Sequence, residues 1–282
     1  MTMLMKERAI GIGKPVPMAG VITLPNTLDS IKPAILLFNS GVMHHAGACR
    51  LTVKLARLFA EQGFLSIRFD FSGIGDSAPR SGSLSFTQSA PQEAKEVMDY
   101  LQKKYNSQQF ILYGLCSGAD AAYETALADD RVVGIVQIDP YCYKNWKYHL
   151  HHYSRRVFKW QHWKSFFLRS FGLKQAINEI SPHDAIGVEK EYYEMASYAR
   201  QFPSTESVKG GINTLMRRKV NVLSIFTGGT AEYNYHGQFF DTFGAVIDRQ
   251  YYHEEHYPEA GHIISQPDSQ AVVLRRITEW LR

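Results

Sequence analysis

The 282-residue sequence predicts an α/β fold, a doubly wound and mostly parallel sheet with a helical cap insertion. Three observations predict it. Short apolar segments alternate with segments of helical periodicity, a glycine-flanked cysteine follows one of the apolar segments, and the alternation stops between residues 141 and 218 before it resumes. Hydrophobic residues make up 45% of the chain and charged residues 21%. This composition supports a sizeable core and excludes a disordered, collagen-like or coiled-coil chain.

The predicted parallel strands are short and mostly apolar, as is typical of strands that are buried on both faces. They are Ala34–Phe38, Leu65–Phe69, Phe110–Tyr113, Val132–Ile138 and Val220–Phe226. An antiparallel edge strand is expected ahead of them, at Met18–Leu24, and a last strand at Arg249–His256.

Helices are predicted between these strands. Leu51–Ala60 places its leucines on one side and is followed by a stop signal at Gly63, and Pro91–Tyr105 opens with proline at a suitable first helical position. The alanine-rich segment Ala119–Ala128 and the C-terminal segment Asp268–Leu281 complete the set. Alternating strands and helices imply parallel pairing with right-handed crossovers.

The predicted domain organisation is an α/β core made of residues 1–140 and 219–282, with residues 141–218 as a basic, aromatic-rich cap. Aromatic residues recur in the cap at the spacing of one helix face, which is typical of packing against the core. They are Trp160, Trp163, Phe167 and Phe171.

The net charge of +4 is unevenly distributed. Residues 141–178 contain eight lysines and arginines and no acid, so this segment carries +8 and the rest of the chain −4. Such a segment could dock an acidic acyl carrier protein, the phosphates of coenzyme A or an anionic membrane surface. The alternative is a solvated lid whose charge balances the core. No nucleic-acid-binding motif is present, so nucleic acid is not an expected partner.

The remaining features favour a soluble, cytoplasmic chain without metal or cofactor. No apolar segment has the length of a membrane span, and charge interrupts the N-terminus too early for a signal peptide. Cys49, Cys116 and Cys142 fit neither a disulfide framework nor a zinc-binding pattern. His253-Glu-Glu-His256 lacks the spacing of a zinc-protease helix.

The most informative motif is Phe110-Ile-Leu-Tyr-Gly-Leu-Cys-Ser-Gly-Ala119, which has a strand before and a helix after Gly114-x-Cys116-x-Gly118. This is the pattern of a nucleophile elbow, a turn so tight that a β-carbon at either glycine would collide with its neighbours. The pattern predicts Cys116 as a nucleophile in a strained conformation, and a helix N-terminus favours its thiolate form. Ser117 falls off the glycine spacing, so we expect its backbone N–H to contribute instead.

With this motif the chain resembles the α/β-hydrolase superfamily over nearly all of its length except the cap. It looks most like the small hydrolases encoded with exosortase systems, which are similar to the serine-aminopeptidase-like branch. The cysteine at the elbow resembles that of dienelactone hydrolase. The segments that carry the likeness are Asn39–Gly47, Leu55–Leu58, Gly63–Phe64, Arg68–Asp70 and Gly73–Ser77.

The resemblance implies a triad in the chain order nucleophile, acid, histidine. His262 follows the last predicted strand in a loop before the terminal helix and is preferred to the strand residues His253 and His256. Glu232 is the favoured acid, because it follows a strand in the place where the family has Gly-x-x-Asp. Asp241 and Asp139 remain alternatives for the acid.

The family's oxyanion hole implies two backbone donors, the N–H groups of Ser117 and Val42. Val42 follows Ser40-Gly41, which occupies the family's His-Gly position. His44 and His45 lie just beyond and are candidate substrate contacts. Their alternative role is that of solvated loop residues.

Together these residues predict acyl transfer through a Cys-His-Glu triad and a covalent acyl-enzyme. The expected enzyme is a thioesterase or esterase-type hydrolase, or an acyltransferase, that acts in a biosynthetic pathway on carrier- or CoA-bound acyl groups. The alternative is a catalytically inactive hydrolase-fold protein that binds or scaffolds. The sequence leaves open whether water or another nucleophile accepts the acyl group, and whether Cys116 is native or replaces a serine.

Overall fold

The computed structural model describes residues 5–13, 17–29, 31–81, 84–157 and 200–282, with the backbone alone for 153–157. Its centre is an eight-stranded sheet in the order β1-β2-β4-β3-β5-β6-β7-β8. The first two strands pair antiparallel, and so do β2 and β4, whereas every other neighbouring pair is parallel. The predicted fold class is confirmed.

All strands except the first agree with the predicted segments to within a few residues. The strands are β1 Lys6–Ile12, β2 Met18–Leu24, β3 Ala34–Leu37, β4 Ser66–Phe69, β5 Phe110–Leu115, β6 Val132–Ile138, β7 Asn221–Thr227 and β8 Tyr252–Tyr257. Strands β3 to β6 are almost wholly buried, because helices cover both faces of the sheet.

The structure describes seven α-helices, of which the first three and the last correspond to the four predicted segments. They are α1 Leu51–Glu61, α2 Phe86–Tyr105, α3 Ser117–Ala128, α4 Trp146–Val157, α5 Thr205–Arg217, α6 Gln238–Phe243 and α7 Pro267–Trp280. The predicted start of α2 at Pro91 is wrong, because the helix begins at Phe86 and Pro91 lies inside it. A capping box forms at the true start, where the Ser85 N–H donates to Oε1 of Gln88 over 3.1 Å.

Strand β1 was not predicted from the sequence. Lys6–Ile12 is exposed along most of its length, so it lacks the apolar pattern of the buried strands. It pairs with β2 over seven residues, from Lys6 opposite Leu24 to Ile12 opposite Met18. The predicted antiparallel strand Met18–Leu24 is therefore confirmed, but β1 and not β2 forms the edge of the sheet.

Two hydrophobic clusters cover the two faces of the sheet. One contains apolar residues of α2, α3 and α5, and the other contains apolar residues of α1 and α7. Helix α5 falls within the predicted cap range, yet its Val208, Ile212 and Leu215 are buried in the same cluster as the core helices. None of the described helices is long and apolar enough to cross a membrane.

The aromatic residues predicted to form one face of a cap helix, Trp160, Trp163, Phe167 and Phe171, lie outside the described residues. So do Lys159, Lys164, Arg169 and Lys174 of the basic segment. The described part of the predicted cap consists of residues 141–157, which include α4, and residues 200–218, which include α5. The boundaries of the cap stay a prediction.

Candidate active site

Cys116 stands at the turn between β5 and α3, at the carboxyl end of a central strand. Its φ of 55° and ψ of −120° are a combination that a residue with a side chain rarely adopts. The Cys116 N–H donates to the carbonyl of Ile138 over 2.8 Å, and the carbonyl of Cys116 accepts from the Asp120 N–H over 3.1 Å. The side chain is partly exposed. Hydrogen bonds of its N–H and its carbonyl thus hold the strained backbone of Cys116. Solvent can reach its side chain.

The two glycines of the motif are required by close backbone approaches. A β-carbon on Gly114 would lie 2.0 Å from the carbonyl oxygen of Gly118, and one on Gly118 would lie 2.2 Å from the carbonyl oxygen of Asn39. Both distances are far inside van der Waals contact, and the atoms concerned belong to the backbone. The turn has the tight geometry that the sequence predicts for a nucleophile elbow.

His262 lies in the loop after β8, and its ring is hydrogen-bonded to the carboxylate of Asp139. The distance from Nδ1 of His262 to Oδ2 of Asp139 is 2.6 Å. With Nδ1 engaged, Nε2 is the nitrogen left for the thiol of Cys116. The hydrogen bond to Asp139 and a further one to the Cys116 side chain raise the pKa of His262 from 6.5 to about 10, against the effect of burial. The site therefore favours an imidazolium at this position.

Asp139 follows β6 directly and is completely buried. Its carboxylate accepts two hydrogen bonds from the end of β7, one from the Thr227 N–H over 2.7 Å and one from the Thr227 hydroxyl over 2.8 Å. Its φ of 50° is positive, as at Cys116. These contacts orient the carboxylate toward His262 and compensate for its burial.

The structure does not bring Glu232, the favoured acid, to His262. The described hydrogen bond of the Glu232 carboxylate comes from the hydroxyl of Thr230 over 3.3 Å. The glycines before it are used for packing, since a β-carbon on Gly229 would lie 2.3 Å from the backbone nitrogen of His262. The loop after β7 thus supports the histidine loop with its backbone, and the expectation for Glu232 is replaced by Asp139.

Asp241, the other alternative, is engaged elsewhere. Its carboxylate accepts from Nζ of Lys147 over 2.8 Å and from the hydroxyl of Tyr235 over 2.8 Å. Among the three acids that the sequence proposed, Asp139 is the one that contacts His262.

The expected oxyanion-hole residues lie on two backbone segments that are joined next to the elbow. The Gly41 N–H donates to the hydroxyl oxygen of Ser117 over 2.8 Å, and a turn is closed by the Met43 N–H and the Ser40 carbonyl at 3.1 Å. Ser117 is the first residue of α3, where a backbone N–H has no partner within the helix. Val42 follows Gly41 and is 60% exposed. Ser117 is buried and its hydroxyl oxygen is engaged by the Gly41 N–H, which favours Cys116 over Ser117 as the nucleophile.

His44 and His45, the candidate substrate contacts, differ sharply in their surroundings. His45 is buried, and both its backbone N–H and its Nδ1 contact the Asp70 carboxylate, over 2.6 and 2.7 Å. His44 is exposed, and its Nε2 lies 3.1 Å from Oδ2 of Asp76. Only His44 is therefore accessible to a substrate, whereas His45 fixes the loop that carries Val42.

His44, His45, Asp70 and Asp76 form the group of described residues with donor atoms suited to a metal ion, all within 4.8 Å of one another. The buried carboxylate of Asp70 already receives hydrogen bonds from Asn39 and His45 and from the Asp76 N–H. These bonds link His45, Asp70 and Asp76 within the cluster. The cluster ties the loop after β3 to the end of β4.

Arg200 is a residue near the elbow that sequence reasoning missed. Its guanidinium forms two hydrogen bonds with the Asp120 carboxylate, over 2.6 and 2.8 Å, and a third with the carbonyl of Asp139 over 2.9 Å. It lies in the predicted cap, far along the chain from Cys116, in a segment without a recognisable motif. No sequence pattern indicates that it contacts the site.

Solved structures with the same overall architecture come from several organisms. The chain aligns with the Pyrococcus furiosus esterase Pf2001 at a TM-score of 0.64 and 13% identity, covering 99% of this chain and 90% of that one. A putative hydrolase from Agrobacterium vitis S4 gives 0.58 and 16%, with 99% and 100% covered. The α/β hydrolase GrgF from Penicillium sp. sh18 gives 0.59 and 13%, with 99% and 98% covered. At these identities the likeness shows the fold.

The fold and the elbow define the class: the protein is a hydrolase-type enzyme with an α/β-hydrolase fold. Residues 31–217 match the serine aminopeptidase, S33 family, and the chain belongs to that family. The matched range includes Cys116 and Asp139, whereas His262 lies beyond it. No curated protein sequence matches the chain significantly.

Replacing Gly118 by alanine tests whether the elbow depends on the close approach to Asn39. We expect Gly118→Ala to lower the free energy of unfolding by about 1–3 kcal/mol, because the new methyl group must displace backbone. Gly210→Ala is the matched control, since a β-carbon there meets nothing within 4 Å and lies in a helix. The control should be neutral or stabilise by up to about 1 kcal/mol. Equal denaturant midpoints for the two variants would contradict this account.

The contact between Asp139 and His262 predicts a specific change in the titration of the histidine. Asp139→Asn should lower the pKa of His262 from about 10 toward 6.5, because it removes the carboxylate that stabilises the imidazolium. Glu232→Gln should leave the titration unchanged. Nuclear magnetic resonance of labelled histidine measures this, with His262→Gln to assign the signal. If the pKa of His262 shifts in Glu232→Gln and stays unchanged in Asp139→Asn, Glu232 and not Asp139 is the partner of His262.

The same contact makes stability depend on pH with a defined sign. The pKa of His262 is higher in the folded state than in the unfolded chain, so the folded state binds this proton more tightly. The contribution to stability is complete below pH 6.5 and is lost as the pH rises toward about 10. Asp139→Asn should reduce this loss relative to the wild type, as measured by urea unfolding across that range. The assignment is contradicted if Asp139→Asn loses as much unfolding free energy between pH 6 and pH 10 as the wild type does.

Proposed function

We propose that the protein transfers acyl groups through a covalent thioester on Cys116, with His262 as the acid–base residue and Asp139 as its partner. The observation that carries the proposal is the geometry of these three side chains. The thiol stands on a strained elbow, it shares a hydrogen bond with His262, and Asp139 holds the other ring nitrogen at 2.6 Å. The order nucleophile, acid, histidine along the chain is that of the superfamily.

In the first half of the reaction the sulfur of Cys116 attacks the carbonyl carbon of the acyl donor. A carbon–sulfur bond forms, and the carbonyl oxygen takes a negative charge that the N–H groups of Ser117 and Val42 stabilise. The intermediate collapses as the bond to the leaving group breaks. The leaving group takes a proton from the His262 imidazolium, and Asp139 keeps the ring oriented without accepting the proton.

In the second half an acceptor, water or another nucleophile, attacks the thioester carbon. His262 removes a proton from the acceptor, the carbon–sulfur bond breaks, and the acyl product leaves. The thiolate and the imidazolium are restored. The positive charge on His262 is therefore needed at the start of each cycle, which agrees with its raised pKa.

We infer a thioester, an activated ester or a lactone as the donor, in preference to an amide. Exchange between two thioesters is close to balanced in energy, whereas a thiolate attacking an unactivated oxygen ester forms its intermediate uphill. The family is named after a serine aminopeptidase, an enzyme whose substrate releases an amine. This chain has a cysteine in the elbow instead of a serine. A cysteine nucleophile favours a substrate with a better leaving group than an amine.

The basic segment 141–178 supports a donor attached to a carrier protein or to coenzyme A. Its described lysines already have partners, since Lys147 pairs with Asp241 over 2.8 Å and Lys144 lies over the ring of Tyr148. The six other basic residues of the segment supply the charge on which this part of the proposal depends. The proposed biosynthetic role and the proposed acyl acceptor rest only on the chemistry of carrier-bound and CoA-bound acyl groups.

Intact-mass spectrometry tests the proposal directly. The protein is mixed with acyl-CoA, acyl-N-acetylcysteamine thioesters and aryl esters of the same acyl group. We expect a gain of one acyl mass on the wild type and on Cys49→Ala, and none on Cys116→Ala. Cys49 is the matched control because it is an exposed free cysteine that could be acylated without catalysis.

The remaining outcomes separate the alternatives. An adduct that decays in water identifies a hydrolase, and one that decays only with added amine or alcohol identifies a transferase. A CoA thioester that reacts faster than the N-acetylcysteamine thioester, with an advantage that salt removes, supports the role of the basic segment. Equal labelling of Cys116→Ala overturns the proposal. No adduct from any donor, while iodoacetamide still alkylates Cys116, favours a binding or scaffold protein.

A further inference from the structure

Arg200 connects the two backbone segments that flank Cys116. One segment is the start of α3, where the Asp120 N–H donates to the Cys116 carbonyl, and the other is the end of β6, where the Ile138 carbonyl accepts from the Cys116 N–H. The Arg200 guanidinium binds the Asp120 carboxylate and the Asp139 carbonyl. Hydrogen bonds therefore form a closed ring around the elbow, and Arg200 joins the two segments from outside them, as His262 does through Cys116 and Asp139.

The contact with Asp139 falls on the residue that orients His262. Nη2 of Arg200 donates to the Asp139 carbonyl over 2.9 Å, while Oδ2 of the same residue contacts Nδ1 of His262 over 2.6 Å. Asp139 has a positive φ of 50°, a conformation that needs support from its surroundings. The guanidinium bond to its carbonyl supplies part of that support, and Thr227 holds its carboxylate.

The guanidinium is held rigidly enough to act in this way. Its side chain is 17% exposed, and the carboxylate of Asp120 that binds it is 4% exposed. The rings of Tyr141 and Phe202 lie over it, with their centroids 5.4 and 4.7 Å from Cζ. A two-point bond to Asp120 and two aromatic rings leave the guanidinium little freedom.

A lysine could keep the charge here but not the geometry. The guanidinium uses Nε and Nη2 for Asp120 and directs Nη2 to the Asp139 carbonyl at the same time. An ammonium group is a single point donor and cannot reproduce this planar arrangement. An Arg200→Lys variant would therefore keep the positive charge and lose the planar donor geometry, so it tests whether that geometry is needed.

We propose that Arg200 is a positioning residue that holds Asp139 in the conformation needed to orient His262. Its catalytic consequence rests on the proposed acyl transfer, whereas its structural consequence for His262 does not. Arg200 belongs to the predicted cap, residues 141–218, so this contact couples the predicted cap to His262. The groups that face the His262 ring and would report a change are Asp139 and Cys116.

The test compares Arg200→Lys with Arg218→Lys in the full chain. Arg218 is the matched control, because its guanidinium donates to the carbonyls of Ala126 and Asp129 at the other end of α3, away from the elbow. The first readout is the titration of His262 by nuclear magnetic resonance. We expect Arg200→Lys to lower the pKa of His262 by about one pH unit or more, since the orientation of Asp139 is loosened, and Arg218→Lys to leave it unchanged.

Two further readouts separate positioning from a loss of stability. The rate at which iodoacetamide alkylates Cys116 at neutral pH should fall in Arg200→Lys, because His262 is less well positioned beside the sulfur, and should stay unchanged in Arg218→Lys. With an acyl donor that forms the adduct, Arg200→Lys should lower kcat about tenfold and leave KM within about twofold, because a positioning residue does not bind substrate.

The double variant Asp120→Asn/Arg200→Gln keeps the test valid if the lysine variant unfolds, since it removes both buried charges together. It should show the same fall in the pKa of His262. A His262 titration that matches the wild type in either folded variant overturns the proposal. If the wild type forms no acyl-enzyme, the proposed function fails, but the titration still decides whether Arg200 positions Asp139.

Discussion

The site depends on one close approach, that of Gly118 to the carbonyl of Asn39. At this point the start of α3 and the end of β3 come so near that no side chain fits between them. The approach fixes the elbow against the loop that carries Val42, and a hydrogen bond from the Gly41 N–H to the Ser117 hydroxyl joins the same two segments. Backbone packing, not the conformation of long side chains, therefore positions Cys116 relative to the proposed oxyanion donors.

A second constraint follows from burying charged groups behind this elbow. Asp139 is completely buried and Asp120 nearly so, and each has a cationic or donor partner in the structure. Burial raises the pKa of Asp120 to about 6 in spite of its bonds to Arg200. A buried carboxylate that loses its partner is strongly destabilising, so His262 and Arg200 also contribute to the fold of this region. The geometry of the candidate site and the stability of this region depend on the same contacts.

The sequence was sufficient for the central strands, because Ala34–Phe38 and Val132–Ile138 are apolar and buried on both faces. It did not predict β1, whose charged residues face solvent at the edge, nor the start of α2, where a proline inside the helix resembled a first residue. The elbow was predictable because its glycines are demanded by local geometry. The acid was not, because spacing along the chain cannot distinguish Glu232 from Asp139. The contact of Arg200 joins residues 80 positions apart, and no local pattern records it.

A partly exposed sulfur beside an imidazolium has a further consequence, which concerns oxidation. A thiolate that solvent can reach is the form that peroxides convert to sulfenic acid, and a buried thiol is protected. Cys116 is partly exposed, whereas Cys142 is buried, with burial raising the pKa of its thiol well above the ordinary value. The geometry that underlies the proposed acylation of Cys116 thus also exposes its sulfur to a reaction that a serine at the same elbow would not undergo. Reductant in the buffer becomes a condition for observing activity.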